Sequence, residues 1–233
     1  MLTIILAAGQ SKRFQEEGYM VPKPFLRIEW RGRNLQMLDH VRYTLPREFT
    51  QLVCAVPEGY EKQMTECRAI VDTRGPADTA LQMINRFEPV SCLILDADIL
   101  NFTNDLYWLT HNKLPAVLVS KSANPAFSYV ERLGHFRRVA EKHRISDYAV
   151  RGAYFVPDHA MVEFTMALED ILERDKEPYI SHAFNNMITP KCAVETTYIP
   201  VDWGTPRDVL LSGARIISPK EETHAPDNSG ERS

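Results

Sequence analysis

An α/β fold with a mostly parallel central sheet flanked by helices is what this sequence predicts, on three observations. Short apolar runs of four or five residues recur and end in small or acidic residues, helix-like segments separate them, and beyond Phe127 strands follow one another with few helices between. The first run, Leu2 to Leu6, closes on Ala7, Ala8 and Gly9, as a buried parallel strand does on entering a loop. Asn34 is placed to cap a helix carrying Leu35, Leu38, Val41 and Leu45 at spacings of three and four, and Pro46 stops it. A strand at Leu52 to Val56, a helix near Glu58 to Cys67, a short strand at Ala69 to Val71 and a helix opening at Pro76 come next. Cys92 to Leu95 is an apolar strand running into carboxylates, Asp105 to Thr110 is helical, and Ala116 to Val119 is again a buried strand.

Tyr129 to Leu133, Phe136 to Val139 and Ala149 to Val156 read as strands of a mixed sheet or of an inserted substrate lobe. Helices near His159 to Glu173 and Ile180 to Ile188, a strand at Ala193 to Ile199 and a helix from Pro206 to about Ile216 complete one domain over 1–218. The polar stretch 219–233 is expected to be a disordered tail.

Composition narrows the function classes. With 27 Lys and Arg against 31 Asp and Glu, the net charge of −4 provides no broad cationic surface, so no nucleic-acid partner is expected and any phosphate site must be local. The four cysteines lack a CxxC pair, three of them sit among apolar neighbours, and the histidines show no ligand spacing; a reduced, cytoplasmic setting fits. The apolar start is too short for an export signal or a membrane span, and no membrane partner is expected.

Chemistry concentrates in three places. In Leu6-Ala7-Ala8-Gly9-Gln10-Ser11-Lys12-Arg13, small residues directly after a strand let backbone N–H groups approach an anion, and Lys12 and Arg13 add charge. Ten positions after Arg13, Pro22 and Pro24 stiffen the backbone that presents Lys23. Asp96 and Asp98 end an apolar strand with their carboxylates on one face, hard oxygen ligands suited to Mg²⁺ on a polyphosphate, or else a plain polar strand end. Asp202 stands between a strand and the helix at Pro206, where a helix-entry role explains it equally well.

These motifs resemble those of the sugar-phosphate nucleotidyltransferases, of the glucose-1-phosphate thymidylyltransferase and capsule-biosynthesis type. The family signature is L-A-A-G-x-G-[ST]-R-[FLM], then about nine residues, then P-K-P. The chain departs from it at Ser11, where the family usually has its second glycine. The resemblance implies a Rossmann-like GT-A nucleotidyltransferase fold. It pairs Asp98 with Asp202, the latter in the D-x-G-T position, around one Mg²⁺, with Asp96 as an extra carboxylate. It further implies that Arg13 and Lys23 are the catalytic cations, and that Leu6 to Gly9, Ser11, Lys12, Arg13 and Lys23 hold the nucleotide.

Thr73 to Thr79 resembles the family's T-x-G-A-A-x-T loop, in which Gly75 and Pro76 would lie against the base, although a helix entry explains the same residues. Glu141-Lys142 and the later Gly152 resemble E-K-P followed by S-x-x-A-x-x-G, where the pair binds the sugar phosphate and the glycine admits the ring; an exposed pair on a turn is the alternative. His143 replaces the usual proline. The expected activity is transfer of a nucleoside monophosphate from a nucleoside triphosphate to a phosphorylated small molecule, a sugar 1-phosphate first, with pyrophosphate released. Cytidylyl transfer to a non-sugar phosphate, glycosyl transfer, and nucleotide binding without catalysis stay open, as does homo-oligomerisation.

Overall fold

The computed structural model describes residues 1–70, 73–133 and 135–217. The expected strand end at Val71 and the expected tail over 219–233 lie outside the described residues. The first half holds β1 (Leu2–Leu6), α1 (Lys12–Gln15), β2 (Arg27–Trp30), β3 (Arg33–Gln36), α2 (Met37–Arg42), β4 (Leu52–Pro57), β5 (Cys67–Ile70), α3 (Pro76–Phe87), β6 (Cys92–Asp96) and β7 (Ile99–Leu100). The second holds α4 (Thr103–Thr110), β8 (Ala116–Lys121), β9 (Tyr129–Leu133), β10 (His135–Ala140), β11 (Tyr148–Val156), α5 (Met161–Arg174), α6 (Ile180–Asn186), β12 (Cys192–Glu195), β13 (Val201–Asp202), α7 (Pro206–Leu211) and β14 (Arg215–Ile216).

β1 lies at the heart of the main sheet, parallel to β4 on one side and β6 on the other, and β5 extends β4 in parallel. β11 then runs antiparallel to β6, β8 antiparallel to β11, and β12 parallel to β8. The strands after Phe127 therefore belong to the same mixed sheet: where β6 stops, β9 takes its place beside β11 at Ala149, and β10 pairs with β9.

Alternate residues of β1 feed two cores, because successive side chains point to opposite faces. Ile4 packs with the residues of α3, α5 and α6, and Ile5 with those of α2, α4 and the small sheet of β2, β3 and β14. Burial on both faces explains why the central strands read as unbroken apolar runs.

Two expected helices differ. Residues 58–66 form successive turns, with Tyr60 N–H bonded to Pro57 O and Gln63 N–H to Tyr60 O. The segment carries only Tyr60 and Met64 as large apolar residues, too few for a helical stripe, and Tyr60 instead stacks on Phe25 at 4.8 Å. Asn34 caps no helix; it sits in β3 opposite Glu29, with Oδ1 accepting from Arg27 Nε at 3.1 Å, and the helix starts at Met37. Arg31 and Gly32, with φ of 49° and 73°, form a two-residue hairpin turn that pairs Leu35 with Ile28. The strand expected over Ala193 to Ile199 and the helix expected from Pro206 are also shorter than expected. β12 ends at Glu195, after which Asp105 holds Thr197, and α7 ends at Leu211 ahead of Gly213 in a left-handed conformation.

Candidate functional site

In the register of the sheet Leu6 stands beside Asp96, so the loop after β1 and the acidic end of β6 share one edge. Ser11 has φ 56° and ψ 23°, the left-handed region that glycine enters freely and serine only at a cost of about 1–2 kcal/mol. The serine thus keeps the backbone shape that a glycine would give. Its hydroxyl also accepts the Lys23 N–H at 2.8 Å and donates to Gly9 O at 3.3 Å, tying the first loop to the Pro-Lys-Pro segment. Pro24 and Phe25 are buried, which anchors the backbone on the far side of Lys23. From there Lys23 Nζ reaches Asp98 Oδ2 at 2.5 Å across 75 residues of sequence.

Pairing of β7 with β13 sets Asp202 opposite Ile99, and Trp203 N–H donates to Asp98 O at 2.8 Å. A Cβ on Gly204 would stand 3.1 Å from Asp202 Oδ1 and 3.8 Å from Asp98 Oδ2, so both carboxylates border one point. Gly204 N–H donates to Asp202 Oδ1 at 2.7 Å. Trp203 is fully buried, packed edge-on to His40 and Trp30 and bonded through Nε1 to Ser212 Oγ at 2.8 Å. It is a packing residue that locks this segment in place.

Burial, then the charge of Asp98, lift the Asp96 carboxyl to about 7, with Lys23 pulling the other way. The same two causes lift Asp202 to about 6, offset by the Gly204 N–H and by Arg151. A site that holds its carboxylates against mutual repulsion has a deficit of positive charge. Hard carboxylate oxygens with such a deficit fit a divalent cation that draws its remaining ligands from phosphate and water. Among the described residues no three His, Cys, Asp or Glu side chains are grouped to hold a metal unaided.

Gly152 has φ +54°, and a Cβ there would lie 2.5 Å from Asp96 Oδ2 and 2.8 Å from Ile99 Cδ1. Glycine is thus required to make room for Asp96, a reason separate from any approach to a sugar ring. At Gly75, a Cβ would meet Pro178 O at 2.9 Å; this close approach docks the start of α3 on the segment that carries Glu177.

These elements enclose a cleft of about 740 Å³. It is lined by Leu6, Ala7, Ala8, Gly9, Ser11, Lys12, Arg13, Lys23, Gly75, Pro76, Asp96, Asp98 and Gly204; Asp202 is not in this lining and touches it only through the Gly204 N–H that it accepts. Arg74 and Glu177 also line it. Arg74 falls within the loop quoted above, whereas nothing in the sequence marks Glu177. Asp202 instead lines a second cavity, of about 620 Å³, together with Trp30, Arg31 and Asp208. It contains none of the first-loop residues.

Glu141, Lys142 and Gly152 are not in the cleft lining. Glu141 Oε2 accepts from Ser181 Oγ at 2.8 Å and from Ser128 Oγ. Lys142, with φ 53°, donates from Nζ to Tyr179 OH at 2.7 Å and lies 3.5 Å from Glu177 Oε2, and these partners raise its pKa, Tyr179 most. The pair is therefore engaged with α6 and the cleft rim. Glu141 still acts on the acidic centre, since its charge helps to raise Asp96.

No family model and no curated protein matches the chain by sequence. Solved structures do. A nucleoside-diphosphate-sugar pyrophosphorylase from Vibrio cholerae RC9 superposes with TM-score 0.70 at 18% identity, over 90% of this chain and 98% of that one. The inositol-1-phosphate CTP transferase from T. maritima gives 0.72 at 16%, over 88% and 90%. A glucose-1-phosphate thymidylyltransferase from Bacillus anthracis, solved with sucrose, gives 0.71 at 18%, over 91% and 93%. The chain shares their fold. At these identities the likeness establishes a nucleotidyltransferase fold across nearly all of the described chain, and the chemistry has to be argued from the side chains.

Proposed function

We propose that this protein is a magnesium-dependent nucleotidyltransferase that moves a nucleoside monophosphate from a triphosphate to a sugar 1-phosphate and releases pyrophosphate. The observation that carries the reading is the 2.5 Å contact of Lys23 with Asp98, made across a cleft whose other wall is the small-residue loop of β1. A glycosyltransferase needs carboxylates near a nucleotide, but it has no use for a lysine and an arginine on that loop.

In the reaction, a phosphate oxygen of the acceptor forms a bond to the α-phosphorus while the bond from that phosphorus to the bridging oxygen breaks, and pyrophosphate leaves with the electron pair. The backbone N–H groups of Ala8 to Ser11 cradle the triphosphate, Arg13 holds the departing β and γ phosphates, and Lys23 meets the α-phosphate. Lys23 is held ready by Asp98, so little reorganisation is needed when the phosphate arrives. Asp98 and Asp202, with Asp96 near them, would hold a magnesium ion, which when bound would neutralise phosphate charge.

A second reading has one observation in its favour. The likeness to the inositol-1-phosphate CTP transferase supports an acceptor that is a phosphorylated polyol and not a sugar, with CTP as donor. Pyrophosphate release, measured for each nucleoside triphosphate against glucose 1-phosphate, inositol 1-phosphate and phosphocholine, separates the two. Release with none of them, in a protein that binds nucleotide, would sink the transferase reading.

A further inference from the structure

Two thiols stand side by side behind the cleft. Cys54 on β4 and Cys67 on β5 are partners in the parallel register, so their side chains leave the sheet on the same face, and both join the core that Ile5 enters. The two sulfurs are in hydrogen-bond contact, with Cys54 donating to Cys67. The other two cysteines are out of reach. Cys92 belongs to the opposite core, and Cys192 lies on β12, at the other end of the main sheet.

Cys67 is the more approachable of the pair, although both are buried, Cys54 at 0% exposure and Cys67 at 2%. β5 ends the strand order of the sheet, and an edge strand is among the first elements to open locally. Glu66, one residue before Cys67, lines a cavity of about 510 Å³ together with Arg42, whose guanidinium bonds to Glu66 Oε1 at 2.9 Å. Donation from Cys54 lowers the Cys67 thiol pKa, and the charge of Arg42 acts in the same direction, against burial and Glu66.

The proposed transfer chemistry uses no thiol, yet both strands run into the cleft. Ala55, next to Cys54, accepts the Ala7 N–H at 2.7 Å, at the start of the first loop. β5 ends at Ile70, three residues before Thr73, which lines the cleft with Arg74, Gly75 and Pro76.

We propose that Cys54 and Cys67 are a site of reversible oxidation, forming an intrachain disulfide that draws β5 onto β4 and reshapes the cleft. The oxidant is a peroxide. The Cys67 thiolate attacks one peroxide oxygen, the O–O bond breaks, and the hydroxide released takes up the proton that the thiol had lost, which leaves a sulfenic acid and water. The Cys54 sulfur then attacks the Cys67 sulfur, the S–O bond breaks, and the hydroxide leaves as water with the Cys54 proton. Two electrons pass from the thiols to the peroxide, and a dithiol reductant reverses the change. Neighbouring strands lie about 4.8 Å apart and the Cβ atoms of a disulfide about 3.8 Å apart, so closure shifts the strand pair by on the order of 1 Å.

Mass spectrometry of non-reduced tryptic peptides tests this on the full chain, first reduced and then treated with hydrogen peroxide. Cleavage after Arg47, Lys62 and Arg68 puts Cys54 and Cys67 on separate peptides, 48–62 and 63–68, which the disulfide joins. The joined pair should be the main product, should disappear with dithiothreitol, and should form in Cys92→Ala and Cys192→Ala as in wild type. Cys54→Ala and Cys67→Ala should each abolish it. Hydrogen exchange reads the cleft without any substrate. As the Ala7 N–H bond weakens, the segment 6–14 should exchange about threefold or more faster in the oxidised protein, while 161–174 in α5 stays unchanged.

The site is overturned if all four thiols of the folded protein survive peroxide, if oxidation stops at a single cysteine, or if the joined peptides carry Cys92 or Cys192. Equal exchange of 6–14 in the two states overturns the link to the cleft. Should Cys54→Ala and Cys67→Ala fail to fold, the wild-type peptide map decides alone.

Discussion

Along the cleft, most of the gathered residues come from continuous stretches: Leu6 to Phe14 off one strand, Lys23 and Pro24 just behind, Thr73 to Pro76 at the head of α3. Outside that lining, Glu141, Gly152 and Asp202 reach the neighbourhood of the acidic centre from a turn, a bulged strand and a two-residue strand, each placed by contacts with something remote. The difference lies in what does the binding. A backbone cradle for a polyphosphate needs small residues in a row, and so it is written locally. Side-chain recognition of a variable acceptor needs only a few atoms at the right points, and any part of the chain can supply them.

The largest expected effect sits where the two sides meet. Lys23→Ala or Asp98→Ala should lower pyrophosphate release by roughly a hundredfold or more, the 3 to 4 kcal/mol typical of a lost electrostatic contact to a developing charge. If Glu141→Gln costs as much as either in the same assay, the division between the two sides breaks down.

Next comes Gly152. Alanine there meets both an unfavourable backbone region and Asp96, so Gly152→Ala should lose about 2–4 kcal/mol in urea unfolding. Adding Asp96→Ala should recover part of this. A loss that ignores residue 96 would mean the glycine serves backbone shape alone.

A smaller effect separates electrostatics from packing. Asp202 has a folded pKa of about 6, above its unfolded value of roughly 4, so the ligand-free protein loses stability as pH rises from the lower value through the higher. Asp202→Asn should raise the Tm at pH 8 by about 2–4 °C for each kcal/mol of repulsion removed, and the gain should vanish by pH 4. A pH-independent gain would trace the effect to something other than charge.

The smallest tests the first loop. Ser11→Gly relieves the left-handed strain but loses the bond to the Lys23 N–H, so stability should stay within about 1 kcal/mol of wild type. Ser11→Ala keeps the strain, loses the bond, and should be the weaker nucleotide binder of the two by KM.

How much of this was legible follows the same division. The Leu2–Leu6 strand matches its expected limits because burial on both faces gives it an unbroken apolar run. The β2–β3 hairpin was missed because Leu35 fits a helical stripe as well as a strand, and the Arg31-Gly32 turn was the signal to have weighed. The first loop and Lys23 were visible from residue types and spacing. Glu177 was not, since a lone charge says nothing until its neighbours are known.

By itself the sequence determined the α/β alternation, the small-residue loop after the first strand, the rigid Pro-Lys-Pro mount and the acidic strand end, each of them read from a short local stretch. Only the tertiary structure decided that Asp98 and Asp202 border one point, that Gly152 must clear Asp96, and that Lys142 meets Tyr179 and Glu177. Local conformation follows from propensity and periodicity over short spans. Which distant side chains share a cleft depends on strand order and register, and a single bulge can change the answer.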